Sequence, residues 1–282
     1  MSNAPIDDDD TIFHEDLDLA APEVEPAGPS LVTRMVLEAL GTFLLVTLSL
    51  GVALFTSAFS ETRITVGAAF GFSLWVIIVA IGRTTGGHVN PAVTLAAWIA
   101  GRFPGRDVAP YILAQVVGAS AGGATLWALI SANPNVSDGR ALMDTVAIGY
   151  GEHSPTQFGL GAGLIAEVLG TAVFVGVILA ATSARSTKNL APVSIGIALF
   201  LMIMWTIPFT NAALNPARAS GIALFSDTWA LTQLWAWWLG PLVGAAIVGL
   251  LFRAFGPEED LLSHQQAMVV EEIEVVEIIE ER

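Results

Sequence analysis

Six stretches of this chain are apolar for long enough to cross a bilayer, and two more begin apolar but stop short. The long ones run approximately over 35–56, 66–82, 108–130, 159–182, 190–208 and 231–253. A hydrocarbon core of roughly 30 Å takes about 17–25 helical residues to cross. The short ones, about 91–101 and 216–226, open on Asn90-Pro91-Ala92 and Asn215-Pro216-Ala217. Asn is a favoured helix cap, and Pro at the first helical position gives up only an amide that had no partner. Each short segment therefore predicts a helix that starts inside the membrane. Irregular backbone at that depth is tolerated only where protein buries it or where it lines a wet cavity.

The two halves repeat. Glu38-Ala39-Leu40-Gly41-Thr42 in the first span matches Glu167-Val168-Leu169-Gly170-Thr171 in the fourth. Each is followed by a further span and then by Asn-Pro-Ala, 52 residues after Glu38 and 48 after Glu167. Three spans per repeat is an odd number, so the second repeat (about 159–255) sits inverted relative to the first (about 31–130). The expected fold class is an all-α membrane protein: six transmembrane helices plus two re-entrant half-helices in an inverted repeat. Inverted repeats that meet at broken helices are a transport architecture.

Composition agrees: 54% of the 282 residues are hydrophobic and 13% charged, which excludes an ordinary soluble fold. The net charge of −15 belongs to the tails, since 1–30 and 256–282 carry nine acids each. With no cysteine, thiol catalysis, disulfides and Cys-based metal sites are excluded. With the N-terminus inside, Arg34, Arg83, Arg102, Arg106, Arg185, Lys188 and Arg253 fall on the cytoplasmic side, against Arg63 and Arg140 outside. That bias predicts a multi-pass protein of the cell membrane with both termini cytoplasmic. Trp229, Trp235, Trp237 and Trp238 fit an outer aromatic belt. Small residues around Gly67–Gly71, Gly118–Gly122 and Gly240–Gly244 predict close helix crossings.

Two Asn-Pro-Ala motifs, the second running on into Arg218, with Glu in spans one and four and Gly86-Gly87-His88 before the first motif, resemble the aquaporins. The resemblance covers roughly 31–255. It implies a passive channel for water and small neutral solutes, no cofactor, no metal and no nucleic acid, in a homotetramer with one pore per protomer. It also implies the lumen. Asn90 and Asn215 offer side-chain amides to passing water, and Gly86, Gly87, His88, Asn211, Ala212 and Ala213 supply carbonyls. Glu38 and Glu167 hold the loops of their own halves. Counting from the motifs without gaps, the constriction falls on Phe70, Ile203, Ala212 and Arg218.

Here the chain departs from the pattern. Strict water channels usually have His where this chain has Ile203, and glycerol channels usually pair a small residue there with a second aromatic at the Ala212 position. Ala219 after the Arg, and Trp237-Trp238, favour the water side. A small-solute facilitator (glycerol, urea, ammonia, peroxide or metalloid hydroxides) is the alternative, and a proton-coupled transporter using Glu38 or Glu167 a remote one, since membrane carboxylates are functional by default. No nucleophile–base pair or phosphate loop appears, so an enzyme is rejected. His88 is either a pH gate or, preferably, packing beneath its loop. Residues 131–158 either cap the outer mouth or simply connect. The acidic tails are expected to be disordered, with any cytoplasmic partner unknown.

Overall fold

The computed structural model describes residues 28–56 and 63–261, and among these the secondary structure is helical with no strand. The helices are α1 (Leu31–Thr56), α2 (Arg63–Thr85), α3 (Pro91–Ile99), α4 (Gly105–Ser131), α5 (Gly139–Asp144), α6 (Leu160–Ala181), α7 (Ala191–Thr210), α8 (Pro216–Ala223) and α9 (Thr228–Phe255). Six of them (α1, α2, α4, α6, α7 and α9) are long and apolar enough to span a membrane. Most run up to four residues past the apolar stretch that predicts them, because a helix can continue its backbone bonds into the polar interface. The half-helices α3 and α8 have nine and eight residues. At 1.5 Å per residue each reaches about 12–14 Å, less than half the hydrocarbon core.

Packing follows the repeat. α1 lies against α2 and α4, and α6 against α7 and α9; α3 rests on α9, and α8 on α4. α2 meets α7, and α3 meets α8. Exchanging α1, α2, α3 and α4 for α6, α7, α8 and α9 returns the same pairings, the signature of a two-fold relation between halves. Lipid gives helices no hydrophobic reason to associate, so backbones must come close enough for dispersion to act. A Cβ added at Gly118 of α4 would lie 2.1 Å from the Ala39 carbonyl oxygen of α1. One at Gly244 of α9 would lie 2.3 Å from that of Val168 in α6. Only glycine fits at either crossing.

The end of the bundle carrying Arg102, Arg185 and Arg253 is called inner here. Asp260, just past α9, is buried there. It pairs with Arg102 and accepts from Ser183 Oγ (3.0 Å) and the Ala184 N–H (2.7 Å). Residues 256–261 are thus docked on the channel domain, although their acidity assigns them to a tail. The expected disorder of 1–27 and 262–282 falls outside the described residues.

At the outer end, the 131–158 segment folds back over the bundle through α5 and a 3-10 turn at Gly151–His153. The Asp144 carboxylate accepts from the Asp227 N–H (2.9 Å) and Trp229 Nε1 (3.0 Å), and the His153 ring stacks on Trp229 at 3.9 Å. This corrects the expected aromatic belt. Trp237 is 1% exposed and packs inside the bundle, Trp238 donates to Ser220 Oγ, and Trp229 ties down the loop. Of the four, Trp235 alone is largely exposed, at 49%. The period of α9 turns the others inward or onto the loop, which residue type alone does not reveal.

Candidate functional site

The half-helices begin where the sequence says they should, and their starts face each other. Asn90 and Asn215 both sit in extended backbone just before proline. Asn90 Oδ1 accepts from the Ala92 N–H (2.9 Å), and Asn215 Oδ1 from the Ala217 (3.0 Å) and Arg218 (3.2 Å) N–H groups. The amide nitrogens reach across the two-fold: Asn90 Nδ2 donates to Leu214 O and Asn215 Nδ2 to Val89 O, both at 2.9 Å. Each Asn therefore caps its own helix and braces the opposite half. An amide has two N–H donors, and the second on each Asn finds no acceptor among the described residues. Both side chains line the same narrow cavity.

Backbone strain explains why the loops need carboxylates behind them. Val89 (φ 43°), Leu214 (φ 49°), Ala212 (φ 62°) and Asn211 (φ 72°) all lie in the left-handed region, as do Gly86 and Gly87. For a β-branched residue such as Val89 this conformation is a genuine outlier, worth about 1–3 kcal/mol. Glu38 Oε1 accepts from the His88 N–H (2.9 Å) and Thr85 Oγ1 (2.7 Å). Its Oε2 accepts from the Val89 N–H (2.7 Å) and Gln115 Nε2 (2.9 Å). Glu167 does the same in the other half, with Oε1 taking Thr210 Oγ1 and the Ala213 N–H (2.8 Å), and Oε2 the Leu214 N–H (2.7 Å).

Thr85 and Thr210 are absent from the sequence reading. Each hydroxyl donates to its glutamate and accepts the N–H two residues on, from Gly87 (2.9 Å) and Ala212 (3.1 Å) respectively. A signal for them exists: both stand five residues before an Asn-Pro-Ala asparagine. Gln115 and Tyr111, whose hydroxyl donates to Thr85 O at 2.9 Å, come from α4 and carry no such mark.

The motifs lie on a path. An inner cavity of about 620 Å³ is lined by Gly86, Gly87 and His88, with Arg83 and Asn189 at its rim. An outer cavity of about 280 Å³ is lined by Phe70, Ile203, Ala212 and Arg218 together with Leu142, Thr145 and Val146 of the loop. Between them is a waist of about 20 Å³ bounded by Asn90, Asn215, Ala213 and Arg218. Leu74, His88 and Phe174 line both inner cavity and waist, and Phe70, Ile203 and Arg218 both waist and outer cavity. On this measure one water needs about 10–15 Å³, so the waist of about 20 Å³ has room for one water at a time.

The four residues found by counting thus line one outer cavity. The other residues fall where they were expected on the inner and outer sides, except Ala213, which lies at the waist rather than the outer mouth. Arg218 is 3% exposed, with its Cζ 5.7 Å from the centre of the Phe70 ring. Its Nη2 donates to Asn211 O at 3.3 Å, while Nε and Nη1 have no protein acceptor among the described residues. His88 packs beneath its loop, as expected, and also faces the inner cavity. Its ring packs against Phe103 (4.8 Å) and Tyr111 (5.5 Å), Nδ1 lies 3.1 Å from Thr94 Oγ1, and it lines the lumen as well.

Six spanning helices around a narrow path at which two re-entrant half-helices meet define a multi-pass integral membrane channel, passive and open to water and small solutes. The chain belongs to the major intrinsic protein family, whose profile, described as Major intrinsic protein, matches residues 27–252. It is 39% identical over 232 residues to aquaporin Z of Photorhabdus laumondii subsp. laumondii, covering 81% of this chain and all of that one. It is 41% identical over 226 residues to aquaporin Z of Brucella melitensis biotype 1, covering 79% and 97%. Among solved structures, the aquaglyceroporin from Plasmodium falciparum superimposes with a TM-score of 0.63 at 21% identity, over 80% of this chain and 95% of that one. That likeness speaks for the fold alone. These relatives are channels and not enzymes.

Proposed function

We propose that the chain conducts water as its main permeant, passes small uncharged solutes more slowly, and excludes protons and ions. The waist carries this reading. Two helix N-termini, each with about half a positive charge, converge there from opposite sides. Asn90 and Asn215 each keep one amide N–H without an acceptor among the described residues, and Arg218 adds a full positive charge one step outward. A neutral molecule meets hydrogen-bond donors in single file. A cation or hydronium meets an electrostatic barrier away from bulk water. The names of the relatives, aquaporin Z, support water as the permeant.

Stopped-flow shrinkage of proteoliposomes under an osmotic step tests it. Water permeability several-fold above empty liposomes is expected, and permeability equal to theirs refutes the reading. Ile203 and Ala212 favour a second reading, a small-solute facilitator, because they add only apolar side chains to the outer cavity that Arg218 lines. Uptake of glycerol, urea and ammonia separates the two: exclusion of all three leaves water alone. A proton-coupled transporter is disfavoured by the commitment of Glu38. A carboxylate offers about four acceptor sites, and all four are occupied by donors. The positive-inside pattern supports a cell membrane location with cytoplasmic termini. The homotetramer rests on the family resemblance, and cross-linking in native membranes tests it.

A further inference from the structure

The Arg218 guanidinium lies 5.7 Å from the Phe70 ring centre and makes one hydrogen bond among the described residues, to the Asn211 carbonyl at 3.3 Å. That carbonyl is the hydrogen-bonding restraint on its orientation. Asn211 is the αL cap of α7 and sits between two structures, the half-helix loop and the extracellular segment 131–158. Its side chain faces the segment. Nδ2 donates to Thr145 O (2.9 Å) and to Ala147 O (2.8 Å), using both of its N–H groups. Next to it the Gly149 N–H donates to Thr210 O at 3.0 Å.

The segment itself is pinned to parts of the bundle that do not touch the lumen. Arg140 Nη1 donates to Ser226 O (2.7 Å), and Asp144 holds Asp227 and Trp229. Gln233 clamps Tyr150 by accepting from its N–H (2.8 Å) and donating to its carbonyl (3.3 Å). Thr156 Oγ1 donates to Pro208 O at 2.6 Å. A strap fastened at both ends passes over Asn211, and the Asn211 amide is the link through which it bears on Arg218.

We propose that Asn211 is a specificity-determining positioning residue: its side-chain amide couples the extracellular segment to the Arg218 guanidinium and so fixes the width of the outer constriction. The inference deepens the proposed water selectivity and rests on it. Two bonds from the amide, together with the Ala212 N–H bond to Thr210 Oγ1 (3.1 Å), fix the peptide plane on which the Arg218 acceptor lies. Without the amide's two bonds the plane is held by the Thr210 contact alone and can tilt, the 3.3 Å bond weakens, and Arg218 gains freedom to move into the outer cavity of about 280 Å³ that it lines. The gap it leaves lies between Phe70, Ile203 and Ala212, all apolar, so the widened passage admits larger neutral solutes.

The decisive variant is Asn211→Gly, because glycine keeps the left-handed backbone and the carbonyl while deleting only the amide. The glycerol-to-water permeability ratio is expected to rise about fivefold, the factor that losing one ordinary hydrogen bond corresponds to. In an Arg218→Val background the same change should leave the ratio where Arg218→Val alone puts it, since the residue being positioned is gone. An unchanged ratio in the first background, or an equal rise in both, overturns the proposal; a purely structural role would lower yield or melting temperature and leave the ratio alone. Wild-type liposomes no more permeable than empty ones would refute the channel reading instead. The positioning claim is then decided by the side-chain ¹⁵N signal of Arg218, which should broaden in Asn211→Gly and, if it stays sharp, refutes it.

Discussion

Replacing Glu38 by Gln changes one oxygen to an NH₂ group and should cost the protein its pore. The carboxylate holds four donors. Two of them, the Thr85 hydroxyl and the Gln115 amide, can turn and accept; Gln115 Oε1 has no partner among the described residues and is available for this. The other two are the backbone N–H groups of His88 and Val89, which cannot turn. Whichever way the new amide points, it faces one of them donor to donor. An orphaned buried N–H costs about 1–3 kcal/mol, and the surviving bonds fall from charge-assisted to neutral strength, for a total of roughly 3–5 kcal/mol. The loop has somewhere to go, because relaxing Val89 from φ 43° recovers about 1–3 kcal/mol. Once Val89 moves, Asn215 Nδ2 loses its acceptor and the waist loses its geometry. Water permeability per channel should fall tenfold or more, with a lower melting temperature in detergent, measured by stopped-flow light scattering and tryptophan fluorescence. Wild-type permeability with unchanged melting would show that the carboxylate does not hold the loop. Glu167→Gln orphans one backbone N–H, of Ala213 or Leu214, by the same reasoning and should fall by a similar factor.

Ile203→His restores a polar wall opposite Arg218 and should lower the glycerol-to-water permeability ratio about tenfold; parallel flux assays check it, and an unchanged ratio removes Ile203 from the selectivity argument. Mercury salts should leave water flux unaffected, since the chain has no cysteine; inhibition in the same stopped-flow assay would point to another reactive side chain near the lumen. Gly118→Val puts a Cβ 2.1 Å from a backbone oxygen that cannot move aside, so the cost should exceed the about 1–3 kcal/mol of ordinary overpacking. Recovery of folded protein after detergent extraction should collapse, and wild-type recovery would mean that α1 and α4 can separate freely.

The sequence by itself determined the topology and most of the lumen. Apolar length specifies the spans because the bilayer has a fixed thickness, and Asn-Pro specifies the half-helix starts because capping is local chemistry. The family resemblance, with ungapped counts back from Asn90 and Arg218, pointed to Phe70, Ile203, Ala212 and Arg218, which line one outer cavity. Only the tertiary structure decided what holds these residues. Gln115 and Tyr111 support the first loop from α4, and Asn211 is tied to a segment some 65 residues earlier in the chain. Trp237 and Trp238 turn into the protein where their residue type suits an interface. Asp260 joins the bundle from a stretch that reads as acidic tail. The physical reason is common to all of these. A hydrogen bond between residues far apart in sequence leaves no period, cap or composition behind; it exists only once the helices have crossed and brought a donor within 3 Å of its acceptor.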